Sequence, residues 1–253
     1  MYSIIQNPAD RVPVHVKFKA TELFINKYVI SEKYPDDLRP LRGSVQDTKI
    51  QRKGLVQKMA KIEECFGYKE MWFAVKGADI DTILSCCPEL KYVREICWKD
   101  ASAERTEKWR SRVMLSGPYD GWVFVIGNAL WDLSQVDEIV EAMGRIGERA
   151  QEVCCFASHR VSDGYGFAKA VQNKIVRLYF YGDGQLFGCM GERSDAEKKL
   201  ALNYAEREED LFEEKFNWID EEDVLNIAGE WSINPQMLLG REEARTVLAD
   251  RIN

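Results

Sequence analysis

Phe156-Ala-Ser-His159-Arg160-Val-Ser-Asp163 gathers an imidazole, a guanidinium, two hydroxyls and a carboxylate at the end of an apolar run. A histidine with a nearby aspartate can act as general base, and an arginine can stabilise the anion that develops. His159, Arg160 and Asp163 therefore define one reading of the chain, a small-molecule or nucleotide hydrolase. Against it, no G-x-S-x-G elbow accompanies the histidine. The only other histidine, His15, lies in the alternating run Val12–Phe18 opposite its apolar residues, so no second imidazole is offered to a metal. A His and an Arg that bond a turn explain the same residues more simply.

The remaining polar motifs carry less. Asp79-Ile-Asp81 has the D-x-D form that can hold a divalent ion, but it stands at a helix start, where aspartate caps and matches the dipole. Gly164-Tyr-Gly166, Gly182-Asp-Gly184 and Gly188-Cys-Met-Gly191 match neither G-x-G-x-x-G nor a P-loop, and hairpin turns account for them. Seven cysteines include no C-x-x-C pair. The adjacent pairs Cys86–Cys87 and Cys154–Cys155 would point to opposite faces of a strand, which suits small buried hydrophobes better than a metal site. No cofactor and no metal is expected.

The segment Tyr204 to Asp223 is the most informative. Ten acidic residues face only Arg207 and Lys215, with Tyr204, Phe212, Phe216 and Trp218 between them. A purely solvated acidic face does not need four large rings. Acid with aromatics supplies a steering field with anchors inside it, the arrangement that binds a basic partner. The site residues on this reading are Glu208, Glu209, Asp210, Phe212, Glu213, Glu214, Phe216 and Trp218. The competing reading turns the rings into this protein's own core and leaves the acids in water.

Local patterns predict the elements that must position these groups. Val12–Phe18 reads as a strand, Ala20–Ile30 as a short helix, 35–43 as a loop and Thr48–Phe66 as a helix with a basic face. Trp72–Gly77, helical Asp79–Leu90 and strand-like Tyr92–Trp98 form a unit. Trp122–Gly127, helical Ser134–Arg149 and strand-like Glu152–His159 follow the same order, a candidate repeat with helices on one face of a sheet. Strands follow at Tyr165–Val171 and Lys174–Tyr181, the latter central, with Ile175, Arg177, Tyr179 and Tyr181 sharing a face. Ser194 caps a helix over Asp195–Tyr204, Asp220 caps Glu221–Trp231, Asn234-Pro235 starts a short turn of helix, and Glu242–Ile252 reads as a last helix. The fold class is α+β: a mixed, largely antiparallel sheet with a helical, acidic C-terminal region. It is read as one domain over 1–253, with 1–70, 71–191 and 192–253 as possible subdivisions.

Composition is that of a globular chain, 253 residues with 45% hydrophobic and 30% charged. No signal peptide or membrane span is read from it, so a soluble cytoplasmic protein is expected. The net charge of −7 is uneven. Residues 192–253 hold 17 acidic and 8 basic side chains, while the rest of the chain is nearly balanced. An acidic surface disfavours nucleic acid and anionic membrane and favours a basic protein. Oligomeric state leaves no sign.

The order Gly121-Trp-Val-Phe-Val-Ile-Gly127, Phe156…His159-Arg160-Val161, Phe167-Ala-Lys-Ala170, Val176-Arg-Leu-Tyr179, Glu221-Glu-Asp-Val-Leu225 and Trp231-Ser-Ile-Asn-Pro235 resembles an uncharacterised bacterial protein family. That family is itself similar to the immunity proteins of polymorphic toxin systems. The resemblance covers residues 121–238 and rests on packing positions, so no active-site residue is carried over. It implies an acidic antitoxin-type protein whose partner is a bacterial toxin domain.

Overall fold

Strict alternation in the apolar runs decides the architecture. Trp72 and Ala74 point to one side of their strand, and Met71, Phe73 and Val75 to the other, yet all five are buried. A strand that is apolar on both faces must be covered on both. The structure, a computed structural model, describes residues 60–252. The readings for Val12–Phe18, His15, Ala20–Ile30, 35–43 and residues 48–59 lie outside the described residues. Residues 60–66 form no helix. They run extended against the C-terminal segment, where the Ile62 amide donates to Arg241 O at 2.9 Å and Ile62 O accepts from the Gly240 amide at 2.8 Å.

Among the described residues nine strands form one sheet: β1 (Met71–Lys76), β2 (Leu90–Glu95), β3 (Arg112–Tyr119), β4 (Trp122–Ile126), β5 (Glu152–His159), β6 (Gly164–Val171), β7 (Lys174–Gly182), β8 (Gln185–Met190) and β9 (Thr246–Arg251). Their order is β2-β9-β3-β4-β1-β5-β6-β7-β8, and every neighbouring pair is antiparallel. The fold is therefore α+β and dominated by its sheet, and the mixed sheet read from the sequence is corrected to an antiparallel one.

Helices cover both faces, and the two that belong to the strand–helix–strand units share one of them, as read from the sequence. Helix α1 (Ile80–Cys86) and α3 (Val136–Gly147) pack on the face of Phe73, Val125, Cys155 and Phe180. Helix α2 (Trp98–Glu107), α4 (Asp195–Lys199) and α5 (Glu221–Trp231) cover the face of Trp72, Phe124, Phe156 and Phe167. Both strand–helix–strand units are formed, but the path from β1 to β2 crosses three strands and that from β4 to β5 crosses only β1. Cys154 and Cys155 fall into opposite cores, as strand alternation requires.

Three local readings are corrected. Trp98 ends no strand; it opens α2. Glu242–Ile252 is not a helix. Thr246, Val247, Leu248 and Ala249 are buried as β9, inserted between β2 and β3, so the C-terminal region is part of the sheet. The last read strand, β7, is interior to the sheet as read, flanked by β6 and by the edge strand β8. The β6–β7 ladder pairs Lys169 with Arg177 and then Ala170 with Ile175, leaving Val176 unpaired as a bulge. That extra residue turns Ile175 to the α3 face, away from Arg177, Tyr179 and Tyr181.

Candidate functional site

The acidic–aromatic segment starts from a buried charge network. The Arg177 side chain on β7 is 2% exposed and that of Glu197 on α4 is 0% exposed. The Arg177 guanidinium donates to Glu197 at 2.9 and 3.0 Å, to Tyr204 Oη at 2.8 Å and to Glu206 at 2.6 Å, and it also reaches Met190 and Gly191 carbonyls. Tyr204 Oη donates in turn to Glu197. Arg193 closes the set on Glu206 and the Leu202 carbonyl. Burial alone would raise the Glu197 carboxyl, but the bonds from Arg177, Tyr204 and Ser194 outweigh it and hold its pKa below the ordinary value. Burial and the bond to Glu197 push the Tyr204 phenol well above its usual range. Tyr204 packs on Tyr179 at 4.4 Å between ring centroids and belongs to the core.

Beyond Tyr204 the chain runs out and back as a loop closed at its base. The Asn217 amide donates to Asn203 O at 2.7 Å, and Asn203 Nδ2 donates to Lys215 O at 2.7 Å. Leu211 and Ile219 are buried on either side. A 3-10 turn at Glu208–Asp210 precedes Leu211, and Phe212, Glu213, Glu214 and Lys215 follow it, all exposed. Phe212 is 76% and Trp218 50% exposed. Trp218 lies over Tyr181 at 5.0 Å, Phe212 meets Trp218 edge-on at 6.1 Å, and the Phe212 ring overhangs Gly184 in the β7–β8 turn.

The eight residues read as a binding surface thus divide. Glu208, Glu209, Glu213 and Glu214 are exposed and carry Phe212 and Trp218 among them. Glu213 pairs with Lys215 at 2.6 Å and Glu209 with Arg207 at 3.7 Å, whereas Glu208 and Glu214 have no ion pair among the described residues. Asp210 is a correction: it is buried and held by Arg207 at 2.6 Å, so it shapes the turn and does not face outward. Phe216 is half-buried against the core beneath Lys215.

His159, Arg160 and Asp163 do not converge. His159 opens into a cleft of about 280 Å³ on the α3 side, with Trp109, Asn128, Trp131, Asp132 and Ser162 among its walls. Arg160 goes to the opposite side and pairs with Glu221 at 3.6 Å. Glu221 there also accepts from Ser158 Oγ at 2.8 Å and the Lys69 amide at 3.2 Å. Asp163 is a turn residue with φ 42°. The carboxylate that does neighbour His159 is Asp132, which sequence reasoning missed because it reads as part of a helix entry. Its bonds from Ser134 (amide 3.0 Å, hydroxyl 2.6 Å), with a smaller contribution from His159, lower its pKa. Ser162 Oγ donates to the His159 carbonyl at 3.3 Å and Ser134 Oγ to Asp132 at 2.6 Å, so neither hydroxyl is directed to the imidazole. The cleft therefore shows a base without an aligned nucleophile.

Other candidates resolve as structure. Asp79 caps α1 through the Thr82 amide at 2.8 Å, and Asp81 pairs with Arg245 at 2.7 Å. A Cβ on Gly166 would lie 2.1 Å from Phe180, so that glycine lets a core ring pass. Desolvation pushes the Cys87 and Cys154 thiols up to about 12, which makes them unreactive. No cluster of three or more potential metal ligands occurs among the described residues. No helix among them is long and apolar enough to cross a membrane.

With this geometry in view, comparison with protein families, curated proteins and solved structures finds no match to the chain.

Proposed function

We propose that this chain is a cytoplasmic immunity or antitoxin-type protein that binds a basic toxin domain and occludes its active site. The observation that carries the reading is the position of Phe212 and Trp218. Two large rings stand out of the core on a loop whose base is fixed, within a field of Glu208, Glu209, Glu213 and Glu214. Carboxylates steer a basic domain into encounter, exposed rings supply the anchors, and the bulk of the sheet blocks access to what lies beneath. Asp210 and Phe216 hold the loop in shape and are not contact residues. The alternative hydrolase keeps His159 alone of its three residues, since Arg160 pairs with Glu221 and Asp163 stands in a turn outside the cleft.

Co-expression with the toxic product of a neighbouring gene tests the proposal. Growth is restored by the wild-type chain and lost when Glu208, Glu209, Glu213 and Glu214 are changed to lysine. Rescue that survives this reversal, or neighbours that are not toxic, would contradict it.

A further inference from the structure

The two ends of the sheet are built differently. The β2 edge carries Lys91, Arg94 and Glu95, charges that keep another strand from adding to it, while a register shift interrupts the ladder of each edge strand alike, at Val93 in β2 and at Phe187 in β8. The β8 edge, Gln185-Leu-Phe-Gly-Cys-Met190, has no charge within it. Among the described residues, no backbone group of Gln185–Cys189 bonds anything but β7. It is also continuous with the acidic loop. Phe212 overhangs Gly184 at its start, and Glu206 lies beside Cys189 near its end.

We propose that β8 receives an extended segment of the basic partner as a tenth strand, with the Phe212–Trp218 loop gripping the same partner beside it. The inference rests on the proposed binding function and adds how the partner is engaged. Backbone bonding to the open edge supplies affinity without demanding particular side chains, and the ends of the edge supply the selection. Asp183 stands in the turn before β8 and Glu192 just after it, both outside the strand. An incoming segment with a few uncharged residues between lysines or arginines matches that pattern. A second copy does not, because antiparallel pairing of β8 with itself brings Asp183 of each copy toward Glu192 of the other, twice, with like charges opposed. The occupant is therefore a basic-flanked strand, and not this chain again.

The probe is the capped peptide Lys-Lys-Val-Thr-Val-Thr-Val-Lys-Lys added to the full-length chain, with amide hydrogen exchange of β8 as the readout. Those amides of Gln185–Cys189 that are not bonded to β7 slow about tenfold at saturating peptide, while those already in the β7 ladder do not change. A peptide with alternate N-methylated amides gives no protection, nor does one flanked by glutamates. Gln185→Lys with Met190→Lys, both exposed positions, also abolishes it without changing the unfolding midpoint. Unchanged exchange with the peptide overturns the proposal. So does protection of β8 in the isolated monomer, or protection that rises with protein concentration as dimers form. Phe212→Ala with Trp218→Ala removes growth rescue but leaves peptide protection of β8, so failure of the loop and failure of the edge are read separately.

Discussion

Tyr204 and Phe212 belong to one acidic run, but one is bonded to a buried arginine and the other stands in water. Ring count alone did not separate them; their neighbours do. Arg177 was visible only as one residue of an alternating strand, and its partners Glu197, Tyr204 and Glu206 lie far along the chain. A buried pair of this kind is costly to break from one side. Arg177→Met leaves the Glu197 carboxylate buried and unpaired and destabilises the chain by about 3–5 kcal/mol, measured by urea unfolding. The pH dependence has a definite sign. The folded Glu197 pKa lies below the unfolded value near 4.5, so its contribution is complete above that value and is lost as pH falls through the lower folded pKa. Glu197→Gln should flatten the acid side of the stability profile. An unchanged slope would mean that the network does not hold the carboxyl in its charged form.

Among the elements, local chemistry was legible where it is self-contained. Ser194 and Asp220 each form a capping box with the residue three further on, and Asp79 caps α1, all as the side-chain types suggest. Helix α4 is shorter than read because Ala201 adopts a left-handed φ of 54° and ends it. Helix α2 gave little signal, since its buried side holds Trp98, Ala101, Ser102 and Arg105, only two of them apolar, with Arg105 paired to Glu70. β9 was misread because a short run of Val, Leu and Ala between charged ends fits either period, and only its slot between β2 and β3 decides. That slot makes the end of the chain essential. Leu248→Ala should cost about 2–5 kcal/mol. A thermal or urea midpoint close to wild type would place Leu248 outside the core.

For the whole molecule, the charge asymmetry was readable by counting, and the sheet's two-sided burial followed from runs such as Trp72–Val75. The surface of the loop was not, because exposure depends on the closed base at Asn203, Lys215 and Asn217. A steered complex has a characteristic salt response: raising salt from about 0.05 to 0.5 M slows association with a basic partner far more than it speeds dissociation. Stopped-flow mixing checks this, and salt-independent association would remove the steering role of Glu208, Glu209, Glu213 and Glu214. The most direct test is a calorimetric titration of the neighbouring toxin domain into wild type and into Phe212→Ala/Trp218→Ala. The account predicts affinity weaker by on the order of 30-fold or more, with an unchanged unfolding midpoint. Equal affinity for the two proteins would contradict it.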